Sequence, residues 1–212
     1  MGRLLESTVA TAAVTVLLAL ATPVLPSVIG ALSGAAEGTA SAPELDARCS
    51  GDAAAADLTA PGRDYFAGAA SGTTSHDLTE FAAAYNGIRV ANCLDPLPAA
   101  NFVHDECLEE RLAWMAGDPS TDPASAWGHD GTARSDGLPV AGCDGNLAGG
   151  TGNTAAIVAE KWWDSPEHRA SLYRPDSTGP LEDACIAFAM THGGVPDESP
   201  SFTRASARWV EC

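Results

Sequence analysis

The chain is predicted to be α+β, with helices packed against an antiparallel sheet, and two observations predict it. Apolar residues recur at helical spacing through the middle of the sequence, as in Leu78, Phe81, Tyr85 and Ile88. Two strand-like runs follow at its end: 184–190, apolar throughout, and 207–212 read as strands, separated by the turn chemistry of Gly193-Gly194-Val195-Pro196. Helices first and strands last is the order expected when helices cover a sheet rather than alternate with it. No internal repeat is present.

In chain order, the first element is an uncharged stretch from Ser7 to Ala36 that contains the apolar run 9–21. Its length suits the apolar core of a signal peptide, and Pro23 and Pro26 break a helix after Ala21. The full stretch could also span a bilayer. Ala19-Leu20-Ala21 and Gly38-Thr39-Ala40 offer small residues at cleavage spacing, whereas the preceding basic region is only Arg3, opposed by Glu6. Residues 1–36 are therefore expected to be a signal peptide or a single membrane anchor helix, and either one exports the remainder. A buried helix of a cytosolic domain is the third reading. Residues 37–74, rich in Ala, Gly, Ser and Thr, are expected to form an extended spacer docked once through Cys49.

The folded domain is expected over 75–212. Its first helix should start at Asp77, with Glu80 completing a capping box, and stop before Asp95-Pro96-Leu97-Pro98. A second helix over 104–116 aligns Cys107, Leu108, Arg111, Leu112 and Met115. The stretch from Gly117 to Gly131 has the composition of a surface loop. A third helix over 154–164 aligns Ile157, Val158, the Lys161 stem and Trp162, and Pro166 ends or offsets it.

Composition narrows the function. The 212 residues carry a formal net charge of −17, which repels nucleic-acid phosphates and anionic lipid headgroups. Nucleic acid is thereby argued against as a partner. The six cysteines, Cys49, Cys93, Cys107, Cys143, Cys185 and Cys212, form no Cys-x-x-Cys pair. In an exported chain this pattern reads as three disulfides, with the pairing open. No nucleophile elbow, zinc-protease helix or phosphate loop is present, and Gly150-Thr151-Gly152 reads as turn glycines rather than a dinucleotide loop. Of the five histidines, His76 and His192 are expected in solvent and His104 in a structural role. His129 and His168 differ, because both flank the third helix in polar loops marked by glycine or proline.

Several segments read together resemble a known family. Tyr85-Asn86-Gly87-Ile88-Arg89 and Leu94-Asp95-Pro96-Leu97, then Gly145-Asn146-Leu147-Ala148, then Trp162-Trp163-Asp164-Ser165-Pro166-Glu167-His168-Arg169, resemble the bacterial form of the CAP superfamily. That family comprises the cysteine-rich secretory proteins, antigen five and pathogenesis-related proteins; its bacterial pattern runs Gly-Glu-Asn-Ile-Ala, helix, Trp-Met-x-Ser-Pro-Gly-His-Arg. The resemblance covers about residues 75–212. It implies a CAP-like α-β-α sandwich with a central antiparallel sheet and a cleft floored by two histidines and two acids. His129 and His168 match the histidines. Gly145 stands where the family has its first cleft glutamate, and Asp164, with Glu160 behind it, is the nearest match to the second acid. Asn146 is expected to brace the loop before the third helix, and Asn86, Arg89, Trp162, Pro166 and Arg169 to serve structure.

These residues imply an exported, non-enzymatic binding module for a small hydrophobic ligand, a lipid or sterol, or a cell-envelope ligand. The first alternative is a hydrolase dependent on a divalent cation, zinc or calcium, held by His129 and His168. The second is a structural or adhesive envelope protein on a membrane anchor.

Overall fold

The computed structural model describes Cys49 and residues 56–212, except 123, 177–180 and 182. The expected signal or anchor segment, and the first part of the expected spacer apart from Cys49, lie outside the described residues. Among the described residues no helix is long and apolar enough to cross a membrane.

The main helices are α1 (Ser75–Ala91), α2 (Glu106–Ala116) and α3 (Ala155–Asp164). Thr74, not Asp77, caps α1. Its hydroxyl accepts from the Asp77 N–H, while the Asp77 carboxylate accepts from the Thr74 N–H, satisfying two free donors reciprocally. Glu80 is thereby released from the box and accepts from the Ala155 N–H at 3.0 Å, joining α1 to the start of α3. Asp105 caps α2 and Thr154 caps α3. Pro166 takes the first position of a short turn, α4 (Pro166–His168), where a missing N–H costs nothing, and the chain continues as a π-helical turn over Arg169–Tyr173.

Six strands form one sheet: β1 (Asp64–Tyr65), β2 (Ala70–Ser71), β3 (Phe102–His104), β4 (Asn146–Thr151), β5 (Ala184–Gly194) and β6 (Glu198–Glu211). The two expected strands are the centre of it, as the long antiparallel hairpin β5–β6. β4 pairs antiparallel with β6, and β2 antiparallel with β5. β3 is the exception, running parallel to β5. β4 corrects the reading of Gly150 and Thr151 as a turn; only Gly152 lies beyond the strand. Its glycines carry no strand propensity, so pairing with β6 decides its conformation.

Side chains alternate across the sheet and feed two cores. Ile186, Phe188, Met190, Ala205 and Ala207 pack toward α1 and α3, with Phe81, Tyr85 and Trp162. Phe81 stacks on Phe188 at 4.2 Å between ring centres, and Tyr85 on Tyr173 at 4.4 Å. Ala187, Ala189 and Leu147 pack toward Leu108, Leu112 and Met115 of α2. Helices therefore cover both faces of the sheet. Ile157, expected on the buried face of α3, is exposed instead; Val158 and Trp162 are buried.

Upstream of Ser75 the chain is already part of this packing. The Leu58 N–H donates to Thr79, the Ala60 N–H to Ser75 and the Gly62 N–H to the Thr73 carbonyl. Thr73 is buried, bonding Met190 through both its hydroxyl oxygen and its proton. Residues 58–73 are thus a structural arm of the sheet rather than a spacer. Three disulfides pair Cys49 with Cys93, Cys107 with Cys143 and Cys185 with Cys212. The last one fastens the C-terminal residue to β5.

Candidate functional site

α2 begins the site from below. Arg111 lies on its apolar face, fully buried, with the guanidinium 4.7 Å from the Trp114 ring centre. Its Nη2 donates to the carbonyls of Gly128 (2.9 Å) and His129 (3.0 Å), which holds the loop that carries His129. The Cys107–Cys143 bond and the Cys143 N–H to Cys107 carbonyl bond (2.8 Å) bring the other end of that loop onto the same helix. Gly142 makes the approach possible: a Cβ there would lie 2.2 Å from the Arg111 nitrogen.

Asp144 then receives His129. Its carboxylate accepts from His129 Nδ1 at 2.9 Å, from the Asp130 N–H at 3.1 Å and from the Gly145 N–H at 2.9 Å. Burial pushes the Asp144 carboxyl up, but these donors outweigh it and hold the group below its ordinary value. An ionised Asp144 assigns the proton to Nδ1 and leaves His129 Nε2 as the free ring nitrogen. The imidazole is 60% exposed, so that nitrogen is accessible.

His168 arrives from α4. Burial, and then the nearby charge of His129, push its imidazole below the ordinary histidine value, with Glu167 opposing in part. Both effects favour the neutral His168 ring, which is a donor and an acceptor. Asn146 ties the two sides together: its Nδ2 donates to the Ala207 carbonyl at 3.0 Å, and its Oδ1 accepts from Ser171 Oγ at 2.5 Å. Asn146 is thus a brace between β4, β6 and the π-helical turn.

The remaining expected residues fall into two groups. Asp164 and Glu160 are exposed on α3 and bond neither histidine, so the second acid is not in place. Asn86 bonds both the N–H and the carbonyl of Leu97 (2.9 and 2.8 Å), and Arg89 donates to the carbonyls of Asp95 and Tyr173. Trp162 is fully buried, and Arg169 donates to the Trp163 carbonyl while its guanidinium faces that indole. These residues hold the helices and loops together. His192 departs from expectation: it sits in β5, and its Nε2 bonds the Asp77 carboxylate at 3.0 Å instead of facing open water. His104 pairs with the buried Glu109 at 2.8 Å.

Arg111, Asp144 and Ser171 were not among the predicted site residues. A cation at helical spacing within an apolar face was the available signal for Arg111. An acid one position before Gly145 was the signal for Asp144.

Metal ligation has a limited donor set here. Among the described residues no three His, Cys, Asp or Glu side chains converge as a metal-holding group. Asp144 is already engaged by His129 Nδ1, the position of an orienting partner rather than a ligand. A zinc held by three protein ligands does not fit these residues. No family model, no curated protein and no solved structure matches the chain.

Proposed function

We propose that the chain is an exported CAP-like binding module, and that His129 and His168 receive the polar group of an extracellular amphipathic ligand such as a sterol or a fatty acid. One observation carries the reading: the Asp144 carboxylate orients an exposed His129 imidazole, while burial and the charge of His129 hold the His168 imidazole below its ordinary value. Such a pair offers both a donor and an acceptor to a ligand hydroxyl or carboxylate. Supporting it are the segment resemblance over residues 75–212, the helices on both faces of an antiparallel sheet, and the three disulfides. The test is calorimetric titration of the oxidised chain with laurate and with cholesterol, beside His129→Ala and His168→Ala. Binding lost in both variants is the expected result; binding unaffected by either substitution would sink this assignment.

A hydrolase is the second reading, favoured by the Asp144–His129 pair, since a carboxylate-oriented imidazole is the arrangement of a general base. Release of p-nitrophenol from p-nitrophenyl acetate, abolished by His129→Ala, would establish it. No release above the buffer rate would end it.

A further inference from the structure

We propose that a hollow between the N-termini of α1 and α3 and the strands β5 and β6 binds an organic ammonium ion with a short apolar body. Asp77 and Glu80 stand three residues apart on α1, hence on one face, and both line the hollow. His76, Thr154, His192 and Thr203 stand beside them. The volume is about 300 Å³ and the exposed lining is mainly apolar.

Two carboxylate oxygens in this lining are unused. Asp77 is only 6% exposed. Its Oδ2 accepts from the Thr74 N–H and hydroxyl, at 2.8 and 2.7 Å, and from His192 Nε2 at 3.0 Å. Its Oδ1 has no partner among the described residues and is not sealed in the interior, so it faces the hollow that Asp77 lines. Burial pushes the Asp77 carboxyl up, but the bonds from His192 and Thr74 outweigh it and hold the group below its ordinary value. Glu80 repeats the pattern: Oε2 accepts from the Ala155 N–H at 3.0 Å, and Oε1 has no partner among the described residues.

The other polar groups here are engaged. The Thr203 hydroxyl reaches the Gly150 and Asn153 carbonyls, and the Ser201 hydroxyl bonds Ser199. Asn153 Oδ1 accepts from Lys161 Nζ at 2.8 Å, and Lys161 itself is not in the lining. No Arg lines the hollow either, so with neutral histidines it carries two negative charges and repels an anion. A wholly apolar ligand would strand both carboxylates out of water. A metal ion lacks its donor set, since among the described residues no three His, Cys, Asp or Glu side chains form a metal-holding group. An ammonium group donates to both free oxygens while its hydrocarbon body covers the apolar lining. Thr203 lies four residues along β6 from Ala207, the partner of Asn146, roughly 13 Å at the strand rise. The hollow is therefore separate from His129 and His168.

The test is titration of the oxidised full chain with phenethylammonium in about 0.15 M salt, which screens loose attraction to the acidic surface. Calorimetry and the His192 ring resonances are the readouts, with phenethyl alcohol, phenylacetate and calcium as contrasts. The expected result is that the ammonium binds, shifts the His192 signals, and binds at least about tenfold more tightly than the alcohol or phenylacetate. Glu80→Gln keeps an oxygen for the Ala155 N–H and removes the charge, so it should weaken the ammonium about tenfold and leave the alcohol unchanged. Asp77→Asn should weaken it as well; if loss of the cap prevents folding, Glu80→Gln and the ligand series decide. Absence of ammonium binding would overturn the proposal, as would binding indifferent to Glu80→Gln or matched by the alcohol or phenylacetate. Displacement of the ammonium by calcium at equal concentration would overturn its ligand class.

Discussion

Gly145, next to the acid that orients His129, packs closely against β6. A Cβ there would lie 2.5 Å from Ser206 Oγ and 3.0 Å from the Ala207 carbonyl, so packing excludes a glutamate at this position. Asp144, one residue before it, bonds His129. Gly145→Ala is expected to destabilise the fold by about 1–3 kcal/mol, the usual cost of overpacking a closed interior. Urea denaturation measures it, and an unchanged midpoint would contradict the packing. Arg111 acts on the same loop from the opposite side, through two carbonyls shared by one guanidinium nitrogen. Arg111→Lys keeps the charge but loses the planar guanidinium that lies over Trp114 while its Nη2 reaches both carbonyls, so it should cost about 1.5–3 kcal/mol. It should also broaden or shift the His129 ring resonances, which a change in stability alone would not move.

Element by element, local signals account for the helices and pairing accounts for the strands. α1, α2 and α3 each begin at a side chain that accepts the first free N–H groups, Thr74, Asp105 and Thr154. The loop between α2 and β4 has no such internal rule. It is held at its base by Cys107–Cys143, a sequence separation of 36, and by Arg111 near its middle. Replacing both cysteines with serine should lower stability by about 3–4 kcal/mol on the chain-entropy estimate for a loop of this size. His129 should then gain solvent exposure and mobility. Denaturation midpoints together with hydrogen exchange over 117–143 test this; protection equal to the parent would mean that the side-chain bonds of Arg111, Trp114, Asp118 and Arg134 suffice to hold the loop.

Across the whole molecule, buried carboxylates make the fold sensitive to acid. Glu109 accepts from Tyr65 OH at 2.7 Å, the Thr73 N–H at 2.9 Å and His104 Nε2 at 2.8 Å, joining the N-terminal arm to α2. Burial opposes its ionisation, yet the donors from His104, Thr73 and Tyr65 win and hold the carboxyl down at about 2, against an ordinary 4.5. Asp77, bonded by His192 and Thr74, and Asp144 are lowered as well. A carboxyl lowered on folding stabilises the native state above its unfolded value and loses that contribution as pH falls toward its folded value. Stability should therefore be highest above about pH 5 and fall between roughly pH 4.5 and 2. Melting temperature against pH is the measurement, and Glu109→Gln should flatten the decline while lowering stability at pH 7. A melting temperature constant from pH 6 to 2 would contradict this account.

Helical spacing placed the three main helices to within about three residues of their observed ends, although α1 is capped by Thr74 rather than Asp77. The two C-terminal runs placed the open end of the β5–β6 hairpin but not residues 198–206 of β6. Both are local properties: a helix declares its buried face every three or four residues, and a central strand must be apolar on both sides. That the six cysteines form three disulfides was also legible. Their pairing was not, nor were β1 to β4, the structural arm over 58–73, or the partners of His104 and His192. Short, glycine-rich strands take their conformation from neighbours distant in sequence, and a disulfide depends on which ends meet in space. Asp144 could be recognised as the orienting acid only once β4 lay beside β6 and Ser206 filled the space a side chain at Gly145 would need. Sequence alone thus determined where the helices and central hairpin form; contacts between distant segments decided how the site is assembled, because its donors and acceptors become partners only after the chain has packed.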